Sequence, residues 1–201
     1  MKLQLESSKL EDYLREIDGI IDFKSPLIQE KINQIKVTAQ SKKERAELAF
    51  IVARDDINHS FDTKSKVITI NAEDTMSKKE GICFAKSHVL AALLRGMDIP
   101  TGFCYQRVMR KGTVESGYAL HGLNALYLEG YGWFRVDPRG NKEGIHSEFS
   151  IHEEKLAYPI RVELGEIDYP KVFVKPLNSV VNAMQESQDC HALFFNRPGT
   201  L

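Results

Sequence analysis

Apolar residues recur at helical spacing along the first hundred residues of the chain. This spacing runs from Ser7 to about Phe23 and predicts a first helix there. Ser25-Pro26 then supplies a cap and a proline suited to a first helical turn, so a second helix should follow. We therefore expect the first forty residues to be helical. The apolar positions of the first helix are Leu10, Leu14, Ile17 and Ile21.

A capping box predicts where a third helix begins. Ser41 and Glu44 are spaced so that each side chain accepts a hydrogen bond from the other residue's backbone N–H, and an apolar run follows them. The helix should continue to about Asp56 and end near Asn58-His59.

The following stretch leads to the most apolar helix of the chain. Residues 64–70 are rich in β-branched types, which favours extended structure, whereas Asn71–Glu80 is polar and predicts a loop. Helical spacing resumes after Cys83, and Asp98–Pro100 stops that helix. Cys83 therefore lies near a helix start, unless Ser77–Glu80 is itself a capping box that begins the helix one turn earlier.

Beyond Pro100 the pattern changes to strands. Helices come first along the chain and an antiparallel sheet follows, so a single α+β domain with N-terminal helices packed on the sheet is the simplest architecture. Within it, residues 1–40 form an N-terminal helical segment and residues 41–201 the main globular unit. The predicted strands are Gly102–Met109, Tyr118–Leu128, Trp133–Asp137 and a weaker one near Val172–Val174.

Composition and charge narrow the class of protein. The chain has 42% hydrophobic and 27% charged residues, as ordinary globular domains do. Its 27 basic and 28 acidic side chains leave a net charge of −1, which disfavours nucleic acid as a partner. The N-terminus is charged throughout and no stretch reaches transmembrane length, so we expect no membrane association and a cytoplasmic location.

The cysteines are candidates for chemistry rather than for cross-links. There are three, Cys83, Cys104 and Cys190, with no CxxC pair, so neither a disulfide framework nor a zinc ribbon is predicted. A helix N-terminus stabilises a thiolate, which makes Cys83 the candidate nucleophile. Taken alone, however, a free cysteine is more often a small buried apolar residue. Cys104 and Cys190 are interpreted as structural.

A predicted hairpin brings His121 and Asp137 to similar levels of the sheet. Residues 129–132 have turn chemistry, so the strand that ends at Asp137 runs back beside the strand that carries His121. A carboxylate can then orient the imidazole while its other ring nitrogen reaches a thiol. Each residue alone has an ordinary structural explanation, and only the combination with Cys83 indicates a catalytic site.

These residues occur within a set of motifs that resembles the transglutaminase-like superfamily, in particular its small bacterial members. The resemblance spans about Ala46 to Gly140. It implies a papain-like cysteine-protease fold and a triad of Cys83 as nucleophile, His121 as general base and acid, and Asp137 as the orienting group. The motifs are Gly81-Ile-Cys83-Phe-Ala85, Ala91-Ala-Leu-Leu-Arg95-Gly-Met-Asp-Ile-Pro100, His121, and Gly132-Trp-Phe-Arg-Val-Asp137-Pro138.

The resemblance also implies the reaction class. It points to acyl transfer through a thioester, with a peptide-like amide as substrate and either hydrolysis or transamidation as the outcome. The Cys83 backbone N–H would be one oxyanion donor. No motif fixes the second donor: Asn58, His59 and Gln106 are candidates, although a helix cap, a turn residue and a strand residue explain them equally well. No cofactor or metal is expected, because no ligand cluster has suitable spacing.

Two other functions stay open at this point. A catalytically silent binding or scaffold protein could use the same fold, since no second oxyanion donor is evident. Alternatively, the first forty residues could form an interaction module that docks the domain on a partner or on a second copy.

Overall fold

The computed structural model describes residues 1–201 and is built around a four-stranded antiparallel sheet. Its strands are β1 (Gln4–Leu5), β2 (Asn58–His59), β3 (Glu80–Gly81), β4 (Thr101–Met109), β5 (Tyr118–Leu128), β6 (Gly132–Val136), β7 (Ile167–Asp168) and β8 (Lys171–Val172). Its helices are α1 (Pro26–Thr38), α2 (Lys42–Ile51), α3 (Ser60–Thr63), α4 (Ala72–Lys78), α5 (Cys83–Arg95), α6 (Asn178–Glu186) and α7 (Cys190–Asn196).

The sheet has the order β6-β5-β4-β7, and short parallel pairs join β1 to β8 and β2 to β3. Residues on one face of β5, such as Leu120 and Leu126, belong to the main hydrophobic core with α5, whereas Leu123 and Ala125 pack in a second cluster on the other face. This alternation is the predicted one. Helices packed on an antiparallel sheet confirm the α+β prediction.

α5 is the central element of the molecule. All thirteen of its residues are buried, because α1, α2, α4 and the sheet surround it. Its polar side chains therefore need internal partners. Arg95 donates to the carbonyl oxygens of Arg15, Thr101 and Val174, and Lys86 donates to those of Arg54 and Ile57. The predicted apolar stripe covers only part of this burial, since the surrounding elements are not visible in a local pattern.

The capping signals before α5 divide into one that was interpreted correctly and one that was not. Ser41 and Glu44 form the predicted capping box of α2, which continues through a π-helical turn to Asp56. The predicted loop Asn71–Glu80 is wrong, because Asn71 caps α4 by accepting a hydrogen bond from the Asp74 N–H. Ser77–Glu80 is therefore the end of one helix and not the start of the next, and α5 begins at Cys83.

The predicted helix from Ser7 to Phe23 is also wrong. Only a short 3-10 helix, Leu10–Leu14, forms there, and Tyr13 is its one buried residue. Tyr13 packs edge-on against Trp133, with ring centroids 4.8 Å apart, on the face of the sheet opposite α5. A single aromatic anchor thus replaces the helical stripe. The second predicted helix is confirmed as α1, which follows Ser25.

Two further segments were not anticipated in this form. Residues 64–70 make no strand, but the chain is fixed there by hydrogen bonds from Cys190 N to the Lys66 carbonyl and between His88 Nδ1 and the Ile70 carbonyl. Near the C-terminus, α6 and α7 pack against the core, and the Leu120 N–H donates to the Pro198 carbonyl at 2.7 Å. None of the helices is both long enough and apolar enough to cross a membrane.

Candidate active site

Cys83 occupies the first position of α5. Ile82 is the N-cap residue and has no side chain that can accept a hydrogen bond, so the first N–H groups of the helix stay available to a ligand or to the thiolate. The thiol is buried, and burial alone would raise its pKa. The adjacent His121, together with Arg197 and the Gly122 backbone, outweighs burial, and the pKa of Cys83 falls below its ordinary value.

His121 and Asp137 meet through the hairpin of β5 and β6. Val136 lies opposite Asn124 in the register, which brings Asp137 to within two residues of the level of His121, as predicted. The two side chains form a hydrogen bond of 2.7 Å between His121 Nε2 and Asp137 Oδ2. The other ring nitrogen, Nδ1, is thereby left for the cysteine side of the site.

Asp137 is held rigidly beneath the imidazole. It is fully buried, and its carboxylate also accepts hydrogen bonds from the backbone N–H groups of Arg139 and Ala157. Burial raises the pKa of the carboxyl, but the His121 charge and these donors outweigh it, so the pKa of Asp137 lies below its ordinary range. The residue therefore stays ionised and fixes the orientation of the ring.

The electrostatics favour a charged resting state for the pair. Burial lowers the pKa of His121, whereas Asp137 and Cys83 raise it, and the net result is a pKa of about 9. The Tyr158 ring covers the imidazole edge-on at 4.8 Å. A raised pKa on the imidazole and a lowered pKa on the thiol together describe a thiolate–imidazolium pair at neutral pH.

The other two cysteines lie in different surroundings. All three are free, but Cys104 is packed in the second hydrophobic cluster and burial raises its pKa to about 12. Burial likewise raises the pKa of Cys190 to about 11. Only Cys83 combines a lowered pKa with a place on the cleft, which agrees with the structural interpretation of the others.

Of the three oxyanion candidates, only His59 lines the cleft with Cys83. It pairs with Gly81 in the β2–β3 ladder, two residues before the cysteine. Its Nδ1 has no hydrogen-bond partner, and burial followed by nearby cations holds its pKa well below the ordinary value. A neutral imidazole can donate one N–H. Gln106 is buried opposite His121 in the sheet, and Asn58 is exposed away from the cleft.

The cleft has a volume of about 560 Å³ and a mostly basic lining. Its acidic residues, Asp62 and Glu166, are already paired with lining cations: Asp62 with Arg139 and Lys142, and Glu166 with Arg161. The cleft therefore carries a surplus of positive charge although the whole chain has a net charge of −1. The six lining cations are Arg110, Lys111, Arg139, Lys142, Arg161 and Arg197.

Several residues of the site could not be found by sequence reasoning. Tyr158 covers His121, the Ala157 N–H holds Asp137, and Arg197 borders the cleft from the end of the chain. They follow the motifs by twenty residues or more and carry no motif of their own. No group of three or more His, Cys, Asp or Glu side chains is arranged to hold a metal ion.

Comparison with known proteins agrees with this geometry. The model of the transglutaminase-like superfamily matches residues 29–138, more than half of the chain. No curated protein matches the sequence. Among solved structures, a "putative cysteine protease" from Cytophaga hutchinsonii superposes with a TM-score of 0.52 at 14% sequence identity. The match covers 66% of this chain but only 43% of that one, and at this identity it shows a shared fold.

Proposed function

The chain belongs to the transglutaminase-like superfamily, and on that premise we propose that it is a thiol-dependent acyl-transfer enzyme with Cys83, His121 and Asp137 as its triad. The substrate class is a peptide-like amide. One observation carries the proposal: a cysteine of lowered pKa at a helix start adjoins a histidine that is hydrogen-bonded to a buried carboxylate.

The acylation step follows from the resting charges. The Cys83 thiolate adds to the amide carbonyl carbon, and the oxygen becomes an oxyanion. The His121 imidazolium then gives its proton to the leaving nitrogen, so the C–N bond breaks and a free amine departs. The acyl group is left on the sulfur as a thioester, and the imidazole is neutral.

Deacylation reverses these proton movements. Neutral His121 removes a proton from a water molecule or an acceptor amine as it attacks the thioester carbonyl. The C–S bond breaks, and the thiolate and imidazolium are restored. Water gives hydrolysis and an amine gives transamidation. The cleft geometry permits either nucleophile.

The remaining groups serve the oxyanion and the ring. The Cys83 N–H at the start of α5 is one donor toward the developing charge, and neutral His59 is the candidate for the second. Asp137 holds the imidazole with Nε2 toward itself, which stabilises the imidazolium and leaves Nδ1 for the proton transfers.

The test uses a matched pair of cysteine variants. Wild-type protein, Cys83→Ala and Cys104→Ala are each incubated with a mixed peptide library, and mass spectrometry detects new carboxyl termini or added amine. Both outcomes require Cys83, so activity should vanish in Cys83→Ala and persist in Cys104→Ala. Equal activity in all three would refute the proposal. Absence of any activity in wild type, combined with an unreactive Cys83, would favour the silent binding protein.

A further inference from the structure

Arg197 is a buried cation that lacks a counter-ion in the protein. Its side chain is stacked on two aromatic rings, with the guanidinium 4.9 Å from the Phe61 centroid and 4.8 Å from that of Phe194. The residue is only 8% exposed, and no carboxylate is among the charges that act on it. Its one side-chain hydrogen bond is a long one, from Nε to the Phe194 carbonyl at 3.4 Å.

An unpaired guanidinium at this depth requires an explanation. Burying a charge is unfavourable unless an opposite charge or several acceptors compensate it, and burial indeed lowers the pKa of Arg197. Elsewhere in the molecule, buried arginines are compensated: Arg135 pairs with Glu154 and Asp168, and Arg95 donates to three carbonyl oxygens. Arg197 alone has neither arrangement, although it faces an open cleft.

The fold places Arg197 beside the reactive groups. It directly follows α7, and its N–H donates to the Leu193 carbonyl. The next residue, Pro198, accepts a hydrogen bond from Leu120, the neighbour of His121 in β5. Arg197 and Cys83 line the same cleft, and the charge of each acts on the other.

The neighbouring cations strengthen the case for an anionic ligand. Arg110 also lines the cleft and lacks a carboxylate partner, but its guanidinium donates to the carbonyls of Phe194 and Arg197 and so braces the segment. Lys111 adds a second positive charge close by. The lining carboxylates are engaged with other cations, so this end of the cleft carries uncompensated positive charge.

We propose that Arg197 binds a carboxylate that the substrate carries close to its scissile amide bond. The proposal rests on the acyl-transfer function and adds the substrate class to it. In a peptide, this group is either the C-terminal carboxylate or an aspartate or glutamate side chain. The planar guanidinium presents paired N–H donors whose spacing matches a carboxylate, which a lysine could not reproduce.

The first test compares two alkylating reagents that differ only in charge. Iodoacetate carries a carboxylate and iodoacetamide its neutral amide, and both react with the Cys83 thiolate by displacing iodide. The ratio of their rate constants cancels any change in the pKa of the thiol. This ratio should fall about tenfold in Arg197→Met, which keeps apolar packing on the two rings, and less than twofold in Lys142→Met, a control that removes another cleft cation.

Arg197→Lys provides a second variant if Arg197→Met is unstable. It keeps the charge and loses the planar donors, so the ratio should fall to an intermediate value. An unchanged ratio in both variants would overturn the proposal and assign Arg197 a purely structural role.

The second test measures binding and does not depend on catalysis. Thermal unfolding of Cys83→Ala is followed with millimolar acetyl-alanyl-alanine, its C-terminal amide, and acetyl-glutamyl-alanine amide. Stabilisation by the free acid alone identifies a C-terminal carboxylate, and stabilisation by the glutamyl amide alone identifies a side-chain carboxylate. Either effect should disappear in the Arg197→Met background. Equal behaviour of all three peptides would contradict the subsite even if Cys83 proves reactive, and a positive result would support it even if Cys83 proves silent.

Discussion

At the scale of single residues, burial and pairing compete at each member of the site. Burial opposes the charged form of Cys83, His121 and Asp137 alike. Their mutual contacts outweigh it, because each charge is next to an opposite one and Asp137 receives two backbone donors as well. The three charges are thus interdependent, and removal of one should change the titration of the others.

The pH dependence of activity should show two limbs. The lower limb reflects Cys83, whose pKa lies below its ordinary value, so the active thiolate should persist below the pH at which a free thiol protonates. The upper limb reflects loss of the imidazolium proton, which the leaving amine needs, and it should fall near pH 9. Measurement of kcat/KM against pH on an active peptide checks both limbs. A profile that keeps rising through pH 10 would contradict the assigned role of His121.

Replacement of Asp137 should impair catalysis more than stability. Asp137→Asn removes the charge that raises the His121 pKa and allows the wrong ring tautomer, so kcat should fall about 10²- to 10⁴-fold. Asp168→Asn is the matched control, because it removes a carboxylate that pairs with Arg135 outside the cleft. If Asp137→Asn retained full activity while remaining folded, Asp137 would not be the orienting group.

At the scale of elements, the site depends on the close approach of α5 and β5. Gly122 follows His121, and a Cβ placed there would lie 2.6 Å from the Phe84 ring, in the residue next to Cys83. The sequence alone shows a glycine in a strand but not what it faces. Local patterns likewise predicted β5, β6 and the start of α2, because caps and alternation are written in neighbouring residues.

Elements that depend on distant contacts were harder to predict. The Asn71 cap of α4 was missed because the segment is polar, and α4 is stabilised by packing on α1 and α5 rather than by a visible stripe. The same explanation holds for the predicted N-terminal helix, in which Tyr13 forms the decisive contact with Trp133. Cys83, His121 and Asp137 were identifiable from their motifs, whereas the contributions of Tyr158 and Arg197 required the folded chain.

A methyl group at position 122 should disturb the site through this contact. Gly122→Ala forces Phe84 or the strand to shift, which should cost about 1–3 kcal/mol of stability and reduce activity by displacing Cys83 from His121. Gly199→Ala is the control, because its Cβ would meet only the Tyr118 carbonyl at 3.4 Å. Urea unfolding and peptide turnover measure the two effects. Wild-type values for Gly122→Ala would show that the contact is not restrictive.

At the scale of the whole molecule, residues 1–40 contribute to the same core as the catalytic elements. Ile28, Ile32 and Ile35 of α1 are buried in the main cluster, and β1 pairs with β8 near the other end of the chain. The family match begins at residue 29, inside this segment. The division into residues 1–40 and 41–201 stays a prediction, but the packing argues against a segment that folds independently.

Removal of the N-terminal segment should therefore unfold the molecule. A chain of residues 41–201 would expose the core face of α5 and lose the buried Tyr13, so we expect no cooperative thermal transition. Val37→Ser in the full chain is a control, because Val37 is 81% exposed and should leave the transition unchanged. Circular dichroism during heating distinguishes the cases. A cooperative transition in the shortened chain would instead support an interaction module docked on a self-sufficient domain.

The central claim is that His121 activates Cys83, and the most direct measurement is the pH dependence of Cys83 alkylation by iodoacetamide. Mass spectrometry would follow the modified peptide in wild-type protein and in His121→Ala. The account predicts a thiolate pKa below the free value of about 8.5 in wild type and a higher pKa in the variant. A wild-type pKa at or above the free value, or one that does not change when His121 is removed, would contradict the account.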